Sequence, residues 1–405
     1  MTKIRFALSI LTVAVVGILL YLVALYARGY RLNSETYKIT PNGLLVIKSD
    51  PDSAQVFING EFKTATNATI PLNPGTYDIR VQKEGYFTWS KRLNIDKEIV
   101  TEATAHLFKT APSLSAVTFS TSLNPIASRD MTKIAYVIPP VVNSNGGIDV
   151  EGLWVMQLVN LPLGFAREPK RITDGDLTTS SWKWSPDNRE ILLTTKQGVY
   201  LLNSGIFTSQ AQRVNVIARE KEILASWNKE LLKRHEAQIS KLPEEMKDVL
   251  TRKSGSYVFS PDEEMLVYIA SSSANIPQNL INPLPGESTQ KEERNIKVGH
   301  TYVYDIIEDR NFLVDENSEN LVIESGYPSS SERRISWFPT SRHLILAEKD
   351  KITIMDYDGT NRQIVYAGSY SAPNAYPALS HDRLLILTNL GSTSSLPNLY
   401  SLSIK

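Results

Sequence analysis

The sequence predicts an all-β protein that begins with a membrane-spanning helix and continues through a small β-sandwich into a β-propeller of about five blades. Three observations predict this fold. A stretch of about 21 residues near the start carries no charge. From residue 43 onward, apolar runs with the period-two alternation of β-strands are separated by turn residues. One phrase then recurs before five apolar runs, which is typical of a repeat architecture.

The composition excludes several classes of protein. A chain of 405 residues is long enough for about two or three domains. Its 43 basic and 43 acidic side chains cancel to a net charge of zero, so it lacks the positive field that non-specific binding to nucleic acid needs. It contains no cysteine, which excludes disulfides, thiolate nucleophiles and thiolate zinc sites. Nucleic acid is therefore not expected as a partner.

Residues 1–32 are predicted to be a transmembrane anchor with its flank. Residues 6–26 contain no charged side chain, and at about 1.5 Å per residue a helix of this length crosses a hydrocarbon core of roughly 30 Å. Tyr26 and Tyr30 lie where aromatic rings favour the headgroup region, and Arg28 lies between them. A cleaved signal peptide is the alternative, but no small-x-small cleavage site follows. The flanking basic residues are balanced, so charge alone does not decide the orientation.

Residues 33–112 are predicted to form a small antiparallel β-sandwich. The apolar runs of this region alternate in the β manner, and turn residues separate them. Asn59-Gly60 is the strongest hairpin signal, because both residues accept the positive φ of a type I′ turn. The strand runs are Leu45–Ile47, Gln55–Ile58, Tyr77–Val81 and Arg92–Ile95.

Five ordered motifs in this region resemble the PEGA domain, a small β-sandwich of microbial surface proteins. The family pattern is G-x-L-x-V, S-x-P-x-x-A-x-V, I-N-G, L-x-P-G-x-Y and K-x-G-Y. The corresponding residues are Gly43–Val46, Ser49–Val56, Ile58–Gly60, Leu72–Tyr77 and Lys83–Tyr86. The tetrad that names the family reads Pro51-Asp52-Ser53-Ala54, with Ser53 in place of glycine. The resemblance implies a surface-display or spacer module without catalysis.

Residues 113–405 are predicted to form the β-propeller. The recurring phrase is an aromatic or apolar residue, then Ser-Pro-Asp or a degenerate form, then an apolar strand. Proline presets φ at the first central position of a turn and aspartate caps the turn, so the phrase joins two strands of one blade. The five copies are Ala127–Asp130, Trp184–Asp187, Phe259–Asp262, Trp337–Thr340 and Leu379–Asp382.

The phrase resembles the β-propeller repeats of the Tol-associated periplasmic protein, in which W-S-P-D-G precedes an apolar strand. Asn188 and Glu263 stand where those repeats have the final glycine. The resemblance implies a propeller in the cell envelope. The number of blades and the closure of the ring stay open.

Insertions account for spacing larger than the roughly 40 residues that a blade needs. Residues 139–150 and 275–295 are rich in polar and turn residues, which predicts loops. Residues 215–253 instead carry apolar side chains at helical spacing, which predicts an amphipathic helical insertion. Pro243, which is tolerated at the first position of a helix, is expected to divide this segment into a longer and a shorter helix.

No catalytic, cofactor-binding or metal-binding residue is predicted. The five histidines lack ligand spacing, and the common catalytic and phosphate-binding motifs are absent from the sequence. Asp174 and Asp176 offer oxygens that suit Ca²⁺, but this ion takes six or more ligands, and a turn between blades explains both residues. Trp182 and Trp184 suggest sugar stacking, yet aromatic residues at this position of a blade usually pack between blades.

These features favour a non-catalytic, single-pass protein of the cell membrane, with residues 6–26 in the bilayer and the C-terminal region outside the cytoplasm. The sandwich is expected to hold the propeller off the membrane, and the propeller to bind an envelope protein or a glycan. The alternative is an envelope enzyme or sensor that binds a small ligand in the propeller channel, because fold does not fix function.

The helical insertion carries the candidate partner-binding residues, Trp227, Leu231 and Met246. One interpretation is that they present part of the apolar stripe to a partner, a second copy of the chain or the membrane surface. The other is that the stripe docks on the propeller itself, because an amphipathic helix buries its apolar face somewhere.

Overall fold

The computed structural model describes residues 2–27, 30–32, 39–140, 150–158, 168–283, 288–323, 333–392 and 395–405. The chain divides into two compact units. The first comprises Met1–Leu107 and Asn282–Lys291, and the second comprises Phe108–Ile281 and Glu292–Lys405. Most of the predicted loop at 139–150, residues 284–287 of the predicted loop at 275–295, and the predicted start of the sandwich at 33–38 lie outside the described residues.

Helix α1 runs over Thr2–Ala27 and includes the segment predicted to cross the membrane. Its described apolar side chains are largely exposed, among them Val13 at 72% and Leu20 at 65%. Within the ranges given above, no helix combines the length and the apolar character that a membrane crossing requires. The predicted transmembrane helix at residues 6–26 is not confirmed.

The first unit is built mainly from short strands. They are β1 (Tyr30–Leu32), β2 (Ile39–Pro41), β3 (Gly43–Asp50), β4 (Gln55–Ile58), β5 (Glu61–Ala65), β6 (Ala68–Leu72), β7 (Gly75–Gln82), β8 (Trp89–Ile95) and β9 (Val100–His106). Strands β6, β3 and β9 form one sheet, β5, β4, β7 and β8 form a second, and β1 pairs with β2. Strand β3 pairs in parallel with β9, so the sandwich is not purely antiparallel as predicted. The chain passes through the second sheet between β3 and β9, and such a crossover is what parallel pairing needs.

One hydrophobic core lies between these two sheets. Leu45 and Ile47 on β3, Val56 on β4 and Val81 on β7 are fully buried and belong to one cluster. The core positions of β3 recur every second residue, because successive side chains of a strand point to opposite faces. The period-two pattern of the sequence therefore identifies the core of this unit.

The hairpin between β4 and β5 turns at Asn59 and Gly60, as predicted. Their φ angles are 51° and 86°, the left-handed values that a type I′ turn requires. The side-chain oxygen of Asn59 also accepts a hydrogen bond from the backbone N–H of Asp78 at 2.9 Å, which ties the turn to β7.

Residues 282–291 of the predicted polar loop belong to the first unit, although they are far from it in the sequence. The hydroxyl of Thr289 donates to the backbone oxygen of Arg92 at 2.5 Å, and the amide of Gln290 donates to the same oxygen at 2.8 Å. This part of the chain is thus more than the plain connecting loop that its composition predicts.

The second unit contains five larger β-sheets in the described residues, here numbered I to V. Sheet I consists of β11 (Leu123–Ala127), β12 (Lys133–Ile138), β13 (Gly152–Gln157) and β14 (Lys170–Thr173). Sheet II consists of β15 (Ser181–Trp184), β16 (Glu190–Thr195) and β17 (Gly198–Asn203). Sheet III consists of β18 (Ser254–Phe259), β19 (Met265–Ala270), β22 (Thr301–Asp305) and β23 (Arg310–Asp315), and the small hairpin of β20 (Ala274–Asn275) and β21 (Asn295–Ile296) interrupts it in the sequence.

Sheet IV consists of β24 (Leu321–Ile323), β25 (Arg333–Trp337), β26 (His343–Glu348), β27 (Lys351–Asp356) and β28 (Gln363–Ala367). Sheet V contains β29 (Ala375–Pro377), β30 (Arg383–Thr388) and β31 (Asn398–Ser403). Its fourth strand, β10 (Ser113–Ala116), comes from the start of the unit and pairs antiparallel with β31. The two ends of the second unit therefore meet in one sheet.

Neighbouring sheets are joined by recurring contacts. The indole N–H of Trp184 in sheet II donates to the backbone oxygen of Ile126 in sheet I at 3.1 Å. The indole N–H of Trp337 in sheet IV donates to the backbone oxygen of Val258 in sheet III, also at 3.1 Å. Sheets V and I share a hydrophobic cluster that contains Tyr376. In sheets II and IV, the tryptophan of the repeated phrase thus links its sheet to the sheet before it.

The repeated phrase forms the same turn in all five sheets. In sheets I to IV, the backbone N–H of the first turn residue donates to the backbone oxygen of the residue five positions later, as in the bond from Ser185 to Glu190 at 2.9 Å. In sheet V the corresponding bond runs from the N–H of Ala378 to the oxygen of Arg383, and the φ angle of His381 is 59°, close to the 58° of Asn188 in sheet II. The fifth copy is therefore Pro377–Ser380, two residues earlier than the sequence predicts, because the backbone of the following strand fixes the turn.

Two α-helices lie in the predicted insertion at 215–253. Helix α2 covers Glu220–Ile239 and helix α3 covers Glu244–Arg252. The short 3₁₀ helices Gln210–Gln212 and Ile217–Arg219 precede them. Pro243 is the N-cap of α3 rather than its first residue. The predicted division of the segment at Pro243 is confirmed.

Candidate functional site

A cavity of about 1140 Å³ lies in the second unit, and all five sheets contribute to its wall. Pockets that hold small molecules typically enclose about 300–1,000 Å³, so this cavity is large enough for a ligand. Sheet I supplies residues 124–131, sheet II supplies Trp184, Ser185, Pro186 and Asn188, sheet III supplies residues 254–261 and Glu263, sheet IV supplies Val322, Ile323, Arg334, Ser336, Trp337 and Pro339, and sheet V with its preceding turn supplies Ala372, Pro373, Asn374, Tyr376 and Leu379.

Helix α2 lies over one side of this cavity. Leu224, Trp227, Leu231 and His235 recur at helical spacing, are half-buried and line the cavity. The guanidinium of Arg234 donates to the backbone oxygen of Pro186 in sheet II at 3.1 Å. The apolar stripe thus faces the repeat sheets, as the docked interpretation predicts.

The same helix also reaches sheet III. The amide of Gln238 donates to the Glu263 carboxylate at 3.0 Å, and the ammonium of Lys241 lies 2.5 Å from it. The hydrogen bond from Lys241 is the largest cause that lowers the pKa of Glu263 below its ordinary value. The helical insertion is therefore held on both sides of the gap between sheets II and III.

His235 connects the helix to sheet I. Its Nε2 lies 2.8 Å from a guanidinium nitrogen of Arg129. Arginine can only donate, so the imidazole accepts this bond with a neutral ring that carries its proton on Nδ1. Burial, and secondarily the charge of Arg129, lowers the pKa of His235. The contact therefore holds the ring in its uncharged form at neutral pH.

The acidic residues of the repeated turn are used inside the turn. The hydroxyl of Ser128 donates to Asp130 at 2.7 Å, and Ser185 donates to Asp187 in the same way at 2.6 Å. Burial raises the pKa of Asp130, but hydrogen bonds from Ser128 and Thr132 outweigh this effect and leave the pKa below its ordinary value. These carboxylates cap turns, which accounts for their presence without a reaction.

Aromatic side chains form much of the cavity wall. Trp184 and Trp337 are held in place by the inter-sheet hydrogen bonds described above, so their rings are rigid surfaces. Tyr257 and Phe259 of sheet III pack edge to face, with ring centroids 6.2 Å apart. A rigid aromatic wall offers a ligand contact area at little cost in side-chain entropy.

Arg334 is the charged residue of this wall that sheet IV supplies. Its guanidinium lies 4.4 Å from the centre of the Tyr376 ring, and one Nη2 proton is donated to the backbone oxygen of Ala375. Its Nε–H is buried without an acceptor. Within the residues that the structure describes, Arg334 makes no ion pair.

Two candidates for other sites have structural roles. Asp176 accepts the backbone N–H and the hydroxyl of Thr178, and Asp174 accepts the N–H of Gln210, so both acids organise turns. In the described ranges, no group of three or more acidic or histidine side chains is placed to hold a metal ion. Trp182 is only 2% exposed and lies in the core shared by sheets I and II.

The structure separates the three predicted partner-binding residues. Trp227 and Leu231 lie together on α2 at the cavity. Met246 is fully buried in a different place, in the core between α3 and sheet III with Leu266 and Tyr268. Met246 is therefore not available on the surface, because the apolar stripe of α3 packs inward. The sequence analysis missed Arg334, which no local motif marks.

Comparison with known proteins gives weak structural similarities. A TolB-like protein from Agrobacterium tumefaciens is 14% identical, with a TM-score of 0.22, and the match covers 69% of this chain and 73% of that one. TolB from Acinetobacter baumannii is 12% identical, with a TM-score of 0.22, and the match covers 81% of this chain and 59% of that one. A luciferin-regenerating enzyme is 10% identical, with a TM-score of 0.27, and the match covers 73% of this chain and 97% of that one.

The family comparison concerns the first unit. No curated protein matches the chain. The model of the PEGA domain matches residues 42–111, which include the strands from β3 to β9. The PEGA resemblance in the sequence is thus confirmed, and residues 42–111 are a PEGA domain.

Proposed function

We propose that this chain is a non-catalytic protein of the cell envelope, in which the PEGA domain is a spacer and the second unit binds a protein or a glycan. The observation that carries the proposal is the use of the repeated Ser and Asp side chains inside their own turns. These residues recur because they build the turns of sheets I to III, and not because they react with a substrate. Residues of this kind are suited to a scaffold that presents a binding surface.

We propose further that the second unit is a five-bladed β-propeller. Five sheets follow one another in the sequence, and each contains the same turn between two of its strands. Hydrophobic clusters join sheet I to sheet II, sheet III to sheet IV, and sheet V to sheet I. The pairing of β10 with β31 is the kind of contact that closes a ring of blades.

The partner is proposed to contact the cavity mouth at Trp227 and Leu231. Both side chains are only half-buried and lie next to each other on one face of α2. Tryptophan is enriched among residues that dominate binding energy at interfaces. Leu232, on the outward face of the same helix, is 60% exposed and supplies a matched control.

Capture from a cell-envelope fraction by the full-length chain tests this proposal. Leu231→Glu should abolish capture of the partner, whereas Leu232→Glu should leave it intact, provided that both variants keep the thermal midpoint of the parent. Equal capture by the two variants would show that the partner binds elsewhere. Turnover of an envelope substrate by the parent chain would contradict the non-catalytic role.

Helix α1 is proposed to hold the chain in the cell membrane through residues 6–26, with the rest of the chain outside the cytoplasm. The exposed apolar side chains along α1 support this proposal. Alkaline extraction should leave the chain in the membrane pellet, and protease treatment of intact cells should remove residues after about position 33. Release by alkali would refute the anchor, and protection from protease would refute the orientation.

A second candidate function is sensing of a small ligand. The observation that favours it is the aromatic and cationic lining of the cavity beneath α2. It differs from the first candidate in needing no macromolecular partner.

A further inference from the structure

We propose that the cavity of the second unit binds a small organic anion with an apolar or aromatic body, and that Arg334 receives the anionic group. This inference rests on the second candidate function and not on the envelope partner. The ligand class follows from three properties of the cavity, namely its charge, its walls and the unused donors of Arg334.

The charged side chains that line the cavity are unbalanced. Four are cationic, Arg129, Arg234, Lys241 and Arg334, and two are carboxylates, Asp130 and Glu263. Because the formal charge of the whole chain is zero, this excess is a local property of the cavity. An enclosed site with an excess of one sign attracts ligands of the other sign.

In the described part of the chain, Arg334 makes no ion pair with a carboxylate. Lys241 lies beside the carboxylate of Glu263, and Arg234 lies 2.5 Å from that of Glu230. Arg334 has a backbone oxygen and the face of an aromatic ring as its partners in the described part of the chain. A backbone oxygen satisfies one of the five N–H donors of a guanidinium, and an aromatic ring attracts the cation without accepting a full hydrogen bond.

The donor geometry of Arg334 suits a carboxylate. The hydrogen bond from Nη2 to Ala375 and the packing against the Tyr376 ring fix the plane of the guanidinium. A guanidinium held in one plane is preorganised for the planar carboxylate group, and such charge-assisted bonds are about twice as strong as neutral ones. The Nε–H of Arg334 is also buried without a hydrogen-bond acceptor, and an acceptor on a ligand would offset the free-energy cost of removing this donor from water.

The aromatic side chains of the cavity wall determine what body the ligand carries beside its anionic group. Trp337 is three residues from Arg334 on the same strand, and both line the cavity together with Trp184 and Tyr257. Rigid aromatic surfaces favour an apolar or aromatic body over a strongly hydrated ion such as phosphate. The combination of one cation and several aromatic rings therefore indicates an amphiphilic anion.

Binding of 2-naphthoate and 2-naphthamide to the full-length chain tests the proposal by calorimetry. The two probes share the fused ring and differ in charge, and the chain is held in lipid nanodiscs with empty nanodiscs as the blank. We expect 2-naphthoate to bind at least about tenfold more tightly, which is the usual effect of a charge-assisted hydrogen bond. Arg334→Gln should reduce this preference to within about twofold, and Arg189→Gln, whose parent side chain is 82% exposed and outside the cavity, should leave it unchanged.

The comparison of the two probes on the parent chain needs no variant, so it decides the charge preference even if Arg334→Gln does not fold. Equal affinity for the two probes, or no saturable binding of either, would overturn the proposal. A preference for 2-naphthoate that survives in a folded Arg334→Gln variant would overturn the assignment to Arg334. Capture of an envelope partner by the Leu231→Glu variant is a separate measurement. If it shows that the first candidate function is wrong, the two probes still test whether the cavity binds an organic anion.

Discussion

Replacing Met246 with alanine should destabilise the second unit by about 3 kcal/mol. The side chain is fully buried in the core between α3 and sheet III. The change removes three heavy atoms, which lose about 2 kcal/mol of transfer free energy. A residual cavity on the order of 40 Å³ adds about 1 kcal/mol at about 24 cal/mol per Å³.

Urea unfolding followed by tryptophan fluorescence measures this effect. Trp89 lies in the first unit and the other five of the six tryptophans lie in the second, so the signal reports mainly the second unit. Leu232→Ala is the matched control, because leucine also loses three heavy atoms but Leu232 is 60% exposed, and it should change stability by less than about 0.5 kcal/mol. If the two variants unfold at the same midpoint, α3 is not docked in the core and the reasoning is refuted.

Three further predictions concern a turn, an inter-sheet bond and a titration. Gly60→Val should destabilise the PEGA domain by about 1 kcal/mol or more, because valine resists the positive φ at this position, while a Cβ there would meet nothing within 4 Å. Gly60→Asn should be nearly neutral, because asparagine tolerates this φ. Amide exchange in β4 and β5 should become faster in the valine variant and not in the asparagine variant. Trp337→Phe should cost about 1 kcal/mol in urea unfolding, because it removes the hydrogen bond to Val258, and no change in midpoint would mean that this bond contributes nothing. The pKa of His235 is lower in the folded chain than in the unfolded chain, so the unfolded chain binds the proton more readily. The free energy that this contact adds to folding is therefore complete above the unfolded pKa of about 6.5. It is lost as the pH falls through the lower pKa of the folded chain. The protection factors of the amides in α2, which are corrected for the intrinsic pH dependence of exchange, should therefore fall as the pH is lowered from about 7.5 to 5, and His235→Gln should remove this fall. An equal fall in the variant would assign it to another group.

Local chemistry determined which parts of the fold were predictable. Asn59 and Gly60 form their turn because both residues tolerate the left-handed backbone, and this preference is visible in the sequence. The division of the helical insertion at Pro243 is visible for the same reason. Each feature depends on residues that are neighbours in the chain.

The fifth repeated turn shows where a local pattern misleads. Ser380-His381-Asp382 resembles Ser-Pro-Asp, yet the turn begins at Ala378. In the other four sheets the strand starts five residues after the first turn residue, and counting back five from Arg383 gives Ala378. The spacing to the strand was thus a better guide than the letters of the phrase.

Tertiary packing decided the rest of the candidate site. Trp227 and Met246 both belong to apolar stripes of helical period, but one lines the cavity and the other lies in a core. A helical period identifies the apolar face of a helix and not the surface that covers it. Arg334 becomes notable only when the fold places it beside Tyr376, which is far away in the sequence.

The pairing of β10 with β31 has a consequence for biosynthesis. Ser115 and Ser401, which face each other across this pair, are 286 residues apart, whereas sheets I and II each draw on one local stretch of chain. Sheets whose strands are close in the sequence can form during translation, but sheet V can form only after residues near 400 have been synthesised. During that interval β10 is an unpaired edge that invites wrong partners, so a chaperone that shields Ser113–Ala116 would protect the nascent chain.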